Sequence, residues 1–118
     1  MIKKHIEPDG EWEPIHQEIG GRVLRPEAFS FKKVSIKGST YSVLSQDYDE
    51  GIIRVNGDKL DIYNTDGVHN GRHLTAIYQI TSGELTICYN LNGNAYPKDF
   101  ITQNQPELFL SVFKKASV

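Results

Sequence analysis

The sequence has little of what marks several large classes of protein. It contains one cysteine, Cys88, so no internal disulfide can form. It has no apolar run approaching about 18 residues, and no segment is predicted to cross a membrane as a helix. Its formal net charge is −2, and its basic residues are scattered rather than clustered. We therefore expect no nucleic-acid partner and no membrane partner.

Export, metal binding and catalysis also lack support in the sequence. The opening residues, MIKKHIEPDGEWEP, have no apolar segment behind their basic side chains, so we expect no signal peptide and a cytoplasmic location. The histidines are His5, His16, His69 and His73. His69 and His73 stand four residues apart across a glycine-containing turn rather than on a helix, which does not favour a metal site. No phosphate loop, nucleophile elbow or HExxH motif is present, so we expect no cofactor and no enzymatic activity.

What the sequence does contain is a series of turn signals between segments rich in β-forming residues. Its 118 residues suffice for one domain, spanning 1–118. The turn signals are Lys37-Gly38-Ser39, Asn56-Gly57, Asn70-Gly71, Ser82-Gly83 and Asn92-Gly93. Asn-Gly is a strong hairpin signal because both residues tolerate positive φ. The spacing of these turns is typical of an all-β meander.

Eight strands are predicted between these turns. They span residues 10–18, 29–36, 41–46, 51–56, 59–64, 72–80, 84–90 and 108–115. A break in alternation at Lys32-Lys33 predicts a β-bulge, and Pro26-Glu27 predicts one short helical turn. Consecutive antiparallel strands favour a closed barrel, because closure removes the exposed edges of a flat sheet. We predict an all-β, antiparallel, eight-stranded up-and-down barrel.

Several motifs along the chain resemble those of a known group of barrels. Gly10-Glu11-Trp12 resembles the Gly-x-Trp signature of the lipocalin and calycin barrels. The stretches GEWEPIHQEIGGRVLRPEAFSFKKVSIKGSTYSV, GRHLTAIYQITSGELTICYN, YPKDF and LFLSVFKK are similar to a lipocalin-like bacterial family of uncharacterised function, first described from planctomycete genomes. In lipocalins a late arginine packs over the tryptophan and closes the barrel base, and here Lys115 stands at that position. The resemblance implies a calycin-type barrel and supplies no catalytic residues.

The predicted hairpin from Arg72 to Asn90 has one apolar face, which we expect to point into the barrel. Its members are Leu74, Ala76, Tyr78, Ile80, Leu85, Ile87 and Tyr89. We expect the same interior to receive Leu60, Ile62, Leu108, Leu110 and Val112. An eight-stranded barrel is just wide enough to be filled by side chains or to hold one small ligand. The sequence leaves both interiors open.

Any ligand-binding site is expected in the barrel interior, near its mouth. The candidate lining residues are Trp12, Tyr41, Ala76, Tyr78 and Tyr89. We expect a non-enzymatic, lipocalin-like binding domain that takes a small apolar molecule into the barrel mouth. The alternative is a protein-binding module, such as an inhibitor or immunity protein, that acts through the loops of a filled barrel.

Two further groups of reactive side chains are expected to be structural. Cys88 is predicted to pair across the hairpin with Ile77 or Gln79 rather than with His73, so no base is expected to activate its thiol. The acidic stretch containing Asp47, Asp49 and Glu50 lacks the other oxygen ligands of a calcium loop. It is predicted to be a solvated hairpin tip.

Overall fold

The computed structural model describes residues 7–29, 31–44, 48–67 and 70–116. His5, Asp47 and His69 lie outside these ranges, as do position 30 of the second predicted strand and positions 45–46 of the third. The strands are β1 (Gly10–Ile19), β2 (Arg22–Val23), β3 (Lys33–Lys37), β4 (Thr40–Leu44), β5 (Tyr48–Asn56), β6 (Lys59–Gly67), β7 (His73–Thr81), β8 (Glu84–Asn90) and β9 (Leu108–Lys115). No helix within the described ranges has the length and apolar character needed to span a bilayer.

Eight of these strands close into an antiparallel up-and-down barrel. The order is β1-β3-β4-β5-β6-β7-β8-β9, and β9 pairs with β1 from Ile19↔Phe109 to Trp12↔Lys115. The two-residue strand β2 is an addition that pairs with the end of β1. One 3-10 turn, Pro26–Ala28, lies where the short helical turn was predicted. The predicted fold class is confirmed.

The two ends of the barrel differ in the length of their connections. At one end, which we call the hairpin end, three tight turns join consecutive strands at 37–40, 56–59 and 81–84. Gly57 in one of these turns has φ +63°, which a glycine adopts without steric cost. At the opposite end, the loop end, longer segments run over 24–32 and 91–107. The fold therefore places these longer loops at one mouth.

The hairpin β7–β8 points its apolar face into the core, as predicted. All seven predicted residues belong to the interior cluster or pack against it, and Leu60 and Ile62 are fully buried there. The prediction that Leu108, Leu110 and Val112 point into the barrel is wrong, because the inward positions of β9 are shifted by one residue. Phe109 and Phe113 face the interior instead.

The outer face of β7–β9 is covered, which explains that error. Leu108 and Leu110 join Ile77 and Cys88 in a second apolar cluster outside the barrel, and Phe100 from the 91–107 segment packs on it. Both faces of β9 are therefore buried, so its sequence does not alternate between apolar and polar residues. Alternation cannot assign the inward face of such a strand.

The predicted bulge at Lys32-Lys33 is also wrong, because β3 begins at Lys33 and pairs with β4 in unbroken register. Irregularities occur instead between Pro14 and His16 in β1, and beside Gly51 in β5. Pro14 has no N–H to donate to a neighbouring strand. A Cβ atom at Gly51 would overlap the carbonyl group of Tyr63, so this crossing requires glycine.

Candidate functional site

The hairpin end of the barrel is packed solid around Trp12. The Trp12 side chain is 2% exposed, and its Nε1–H donates to the carbonyl of Pro8 at 2.9 Å. Leu85 and Phe113 beside it are fully buried. The Nζ atom of Lys115 lies 4.6 Å from the centre of the Trp12 ring and donates to the carbonyl of Asp9. Buried side chains therefore occupy the barrel interior around Trp12.

The loop end contains a partly enclosed cavity of about 200 Å³. Its apolar lining consists of Ile19, Phe31, Val43, Leu74, Leu91 and Phe109. Its polar lining consists of Tyr41, Asp49, Asn64, Arg72 and Tyr89. Mostly apolar walls with a few polar groups are typical of small-molecule sites. The interior is thus filled at one end and hollow at the other.

Two tyrosine hydroxyls meet inside the barrel at this cavity. The Tyr41 and Tyr89 oxygens lie 3.3 Å apart, and both side chains are buried. Burial raises the pKa of Tyr41 to about 12, partly offset by the hydrogen bond to Tyr89 and reinforced by the negative charge of Asp49. Burial also raises the pKa of Tyr89 well above its usual value. Both hydroxyls are neutral at physiological pH, and one can donate to the other while the second offers its proton to a ligand.

Asp49 and Asn64 bring polar groups onto the inner wall near the mouth. Asp49 is 6% exposed and pairs across β4–β5 with Val43, another lining residue. Asn64 is 8% exposed and continues the inward series of Leu60 and Ile62 along β6. The prediction that Asp49 belongs to a solvated hairpin tip is wrong, because β5 begins at Tyr48 and carries this residue into the barrel wall.

Arg72 lies at the rim of the cavity. It is exposed, and its Nη2 atom donates to the carbonyl of Leu91 at 2.9 Å. The contact ties the start of β7 to the segment that follows β8. Arg72 therefore helps to fix the shape of the mouth.

Of the five predicted lining residues, the structure brings two to the cavity. Tyr41 and Tyr89 line it, whereas Trp12, Ala76 and Tyr78 lie in the same buried core outside its lining. The additional lining residues include Asp49 and Asn64. Period-two alternation could have identified Asn64, since Leu60 and Ile62 precede it at intervals of two.

A polar network on the outer wall fastens the 91–107 segment to the barrel. The carboxylate of Asp61 contacts His73 Nε2 at 3.0 Å and accepts from the Tyr96 hydroxyl at 2.6 Å. The His73 ring stacks on Tyr63 with 4.4 Å between ring centres. Thr75 donates its hydroxyl to the carbonyl of Ala95 at 2.6 Å. These contacts hold the loop beside the mouth of the cavity.

The remaining candidates for chemistry are not assembled into a reactive site. Cys88 pairs with Ile77, as predicted, and burial raises the pKa of its thiol to about 12, with smaller contributions from the charges of Asp99 and Glu18. His16 contacts Glu18 at 3.0 Å. Within 7–29, 31–44, 48–67 and 70–116, no three His, Cys, Asp or Glu side chains are grouped so that they could hold a metal ion.

Comparison with known proteins adds a distant structural likeness. No protein-family model matches the sequence, and no curated protein matches it. Among solved structures, the chain is similar to the crystal structure of a mutant of the fluorescent protein UnaG, with 10% identity over 94% of this chain and 97% of that chain, and a TM-score of 0.47. A likeness this distant carries no argument about the ligand, and the fold assignment depends on the strand pairing described above. The resemblance to the planctomycete family stays a prediction.

Proposed function

We propose that the protein is a non-enzymatic binding barrel that takes one small molecule into the loop-end cavity. The observation that supports this most directly is the partly enclosed cavity of about 200 Å³, which has apolar walls and a neutral hydroxyl pair. A barrel that served only as a scaffold would gain stability by filling this space with side chains. The hollow is therefore better explained by a guest than by packing.

The size and walls of the cavity favour a ligand with a single ring. Its volume is about 200 Å³. That lies below the ~300 Å³ at which sites for drug-sized ligands begin. Phe31, Tyr89 and Phe109 present ring faces and edges, with centres 5.7 to 6.0 Å apart. Aromatic rings pack well against such walls.

The polar groups of the cavity suit recognition better than catalysis. The hydroxyls of Tyr41 and Tyr89 have raised pKa values and do not act as bases near neutral pH. The Cys88 thiol lies in the outer apolar cluster, away from the cavity. We therefore propose that the ligand leaves chemically unchanged.

The proposal is tested by titrating a single-ring probe, benzyl alcohol, into the protein and following backbone amide shifts by NMR. The variant Val43→Phe places a larger side chain in the cavity wall, whereas Leu44→Phe alters the adjacent residue, which is 51% exposed. We expect Val43→Phe to weaken binding at least tenfold and Leu44→Phe to retain it. Equal binding by both variants would place the probe outside the cavity.

A second candidate, a protein partner bound through the loops, has one supporting observation. Val23 is 61% exposed and Ile101 is 56% exposed. Their segments are joined by a hydrogen bond from the Gly21 N–H to the Thr102 hydroxyl at 3.0 Å. Exposed apolar residues on neighbouring segments favour a protein contact. Affinity capture with the wild type and with Val23→Ser/Ile101→Ser tests it, and a partner lost only from the variant would support this candidate.

A further inference from the structure

We propose that the loop-end cavity selects a ligand that carries a protonated amine on a small apolar ring, and that the Asp49 side chain sets this preference over a carboxylate of equal size. The inference depends on the proposed function, because it names the class of ligand for the same cavity. It specifies the charge of the ligand, which neither the volume of the cavity nor its apolar walls determine.

Asp49 lies on the inner wall of the cavity. Its side chain is 6% exposed, lies on the inner face beside Val43 and lines the cavity. Aspartate is seldom buried to this degree, because removing a charge from water is costly. A cationic ligand group beside it would gain an attraction that the low-dielectric wall strengthens.

The cavity lining contains one acidic and one basic side chain. Among the described residues that line the cavity, Asp49 and Arg72 carry the formal charges. Arg72 is exposed at the rim, whereas Asp49 is buried. Water and salt screen an exposed charge far more than a buried one. The electrostatic character of the interior therefore follows Asp49.

The hydroxyls of Tyr41 and Tyr89 are the deeper polar groups of the cavity. Burial is the main cause of the raised pKa of Tyr41, and the negative charge of Asp49 raises that pKa further. The Tyr41–Tyr89 pair is neutral and has one proton left after its internal hydrogen bond. One hydroxyl proton can hold a ligand oxygen but gives little compensation to a buried carboxylate near Asp49. An anionic ligand is thus disfavoured at both depths of the cavity.

The experiment compares three probes with one ring each: benzylamine, benzyl alcohol and benzoate, titrated at pH 7 by NMR. We expect benzylamine to bind at least tenfold more tightly than benzoate, with benzyl alcohol between them. The Asp49→Asn variant should reduce the ratio of benzylamine to benzoate affinity to near one. The matched control is Asp66→Asn, an exposed carboxylate on β6 outside the cavity lining, which should keep the wild-type ratio.

The outcomes separate the two proposals. Equal affinity for all three probes, or tighter binding of benzoate, overturns the charge preference and leaves the proposed function standing. A ratio that persists in a folded Asp49→Asn variant overturns the role of Asp49. If Asp49→Asn does not fold, the order of the three probes on the wild type decides the question. If none of the probes binds, the proposed function fails and this inference fails with it.

Discussion

The ammonium group of Lys115, the last residue of β9, lies over the ring of Trp12 near the start of β1, and the two residues are also cross-strand partners. The same ammonium donates to the carbonyl of Asp9, and the Trp12 indole donates to the carbonyl of Pro8. One lysine therefore joins the closing strand, the tryptophan and the segment before β1. This geometry agrees with the arrangement implied by the lipocalin resemblance, with lysine in place of arginine.

Replacing Lys115 with methionine should destabilise the barrel by about 1 kcal/mol, because an exposed cation–π contact contributes about 0.5–1 kcal/mol and a hydrogen bond is lost as well. Lys115→Arg should match or exceed the wild type, since a guanidinium also stacks on the ring. The measurement is urea unfolding followed by the fluorescence of Trp12. Lys114→Met, on the exposed outer face, is the control. An equal loss in both methionine variants would contradict the assignment.

The buried pair of Tyr41 and Tyr89 should behave as a coupled unit. Tyr41→Phe or Tyr89→Phe alone should cost about 1–3 kcal/mol, because each leaves a buried hydroxyl without its partner. The double variant should cost less than the sum of the two, since both polar groups are then removed together. Denaturant unfolding of the four proteins gives the coupling energy. Simple additivity would show that the hydroxyls do not interact.

Gly93 should tolerate alanine far less well than Gly57. Both glycines have similar backbone angles, with φ +66° and φ +63°. A Cβ at Gly93 would overlap the carbonyl of His73, whereas one at Gly57 meets open space. Gly57→Ala should therefore cost about 1–2 kcal/mol for its left-handed backbone alone, and Gly93→Ala clearly more. Thermal unfolding of the two variants makes the comparison. Equal losses of stability would mean that the backbone around Gly93 shifts to accommodate the added Cβ.

The contribution of Asp61 to stability should disappear in acid. Burial raises the pKa of Asp61, but the hydrogen bonds from Tyr96 and His73 outweigh that effect, so its folded pKa is lowered. A lowered pKa gives stability that is present above about pH 4 and is lost as the pH falls through the folded value. Asp61→Asn should therefore be less stable than the wild type at pH 7, and the difference should shrink towards pH 2.5.

Urea unfolding at a series of pH values tests this expectation. Asp66→Asn is the matched control, since Asp66 is an exposed carboxylate on the same strand that accepts from the neighbouring Gly67 N–H. If the difference in unfolding free energy between wild type and Asp61→Asn stayed constant across the series, the charge of the carboxylate would not be its cause.

Local patterns predicted most of the barrel. The alternation of Leu74, Ala76 and Tyr78 and the glycine at the β7–β8 turn determine one inward face and one turn, so the register follows. The same rule fails on β9. There the 91–107 segment buries the outer face, and both Leu108 and Phe109 are covered. The covered strand carries an apolar run, which indicates burial on both faces but does not tell which face points into the barrel.

The polar part of the candidate site was harder to predict for a related reason. Asp49 stands in a stretch of turn-forming residues, and its burial depends on the pairing of β5 with both β4 and β6. Tyr41 and Tyr89 could be placed in the interior from alternation alone. The two hydroxyls meet at 3.3 Å although the residues stand 48 positions apart in the sequence. The alternation of residue types predicts which side chains point inward. Which of them meet across the barrel depends on how the strands close.

The outer apolar cluster around Ile77 and Cys88 adds a second packed layer to one part of the barrel wall. Strands β7 to β9 are clamped between the interior and the 91–107 segment, so their amide protons should exchange with solvent most slowly. Ile52 and Leu44, on the outer faces of β5 and β4, are half exposed, so this side of the wall lacks comparable cover there. The barrel wall is therefore covered on both faces at β7 to β9 and on its inner face alone around Leu44 and Ile52. We expect the amide protons of β4 and β5 to exchange with solvent faster than those of β7 to β9, which hydrogen exchange followed by NMR would show.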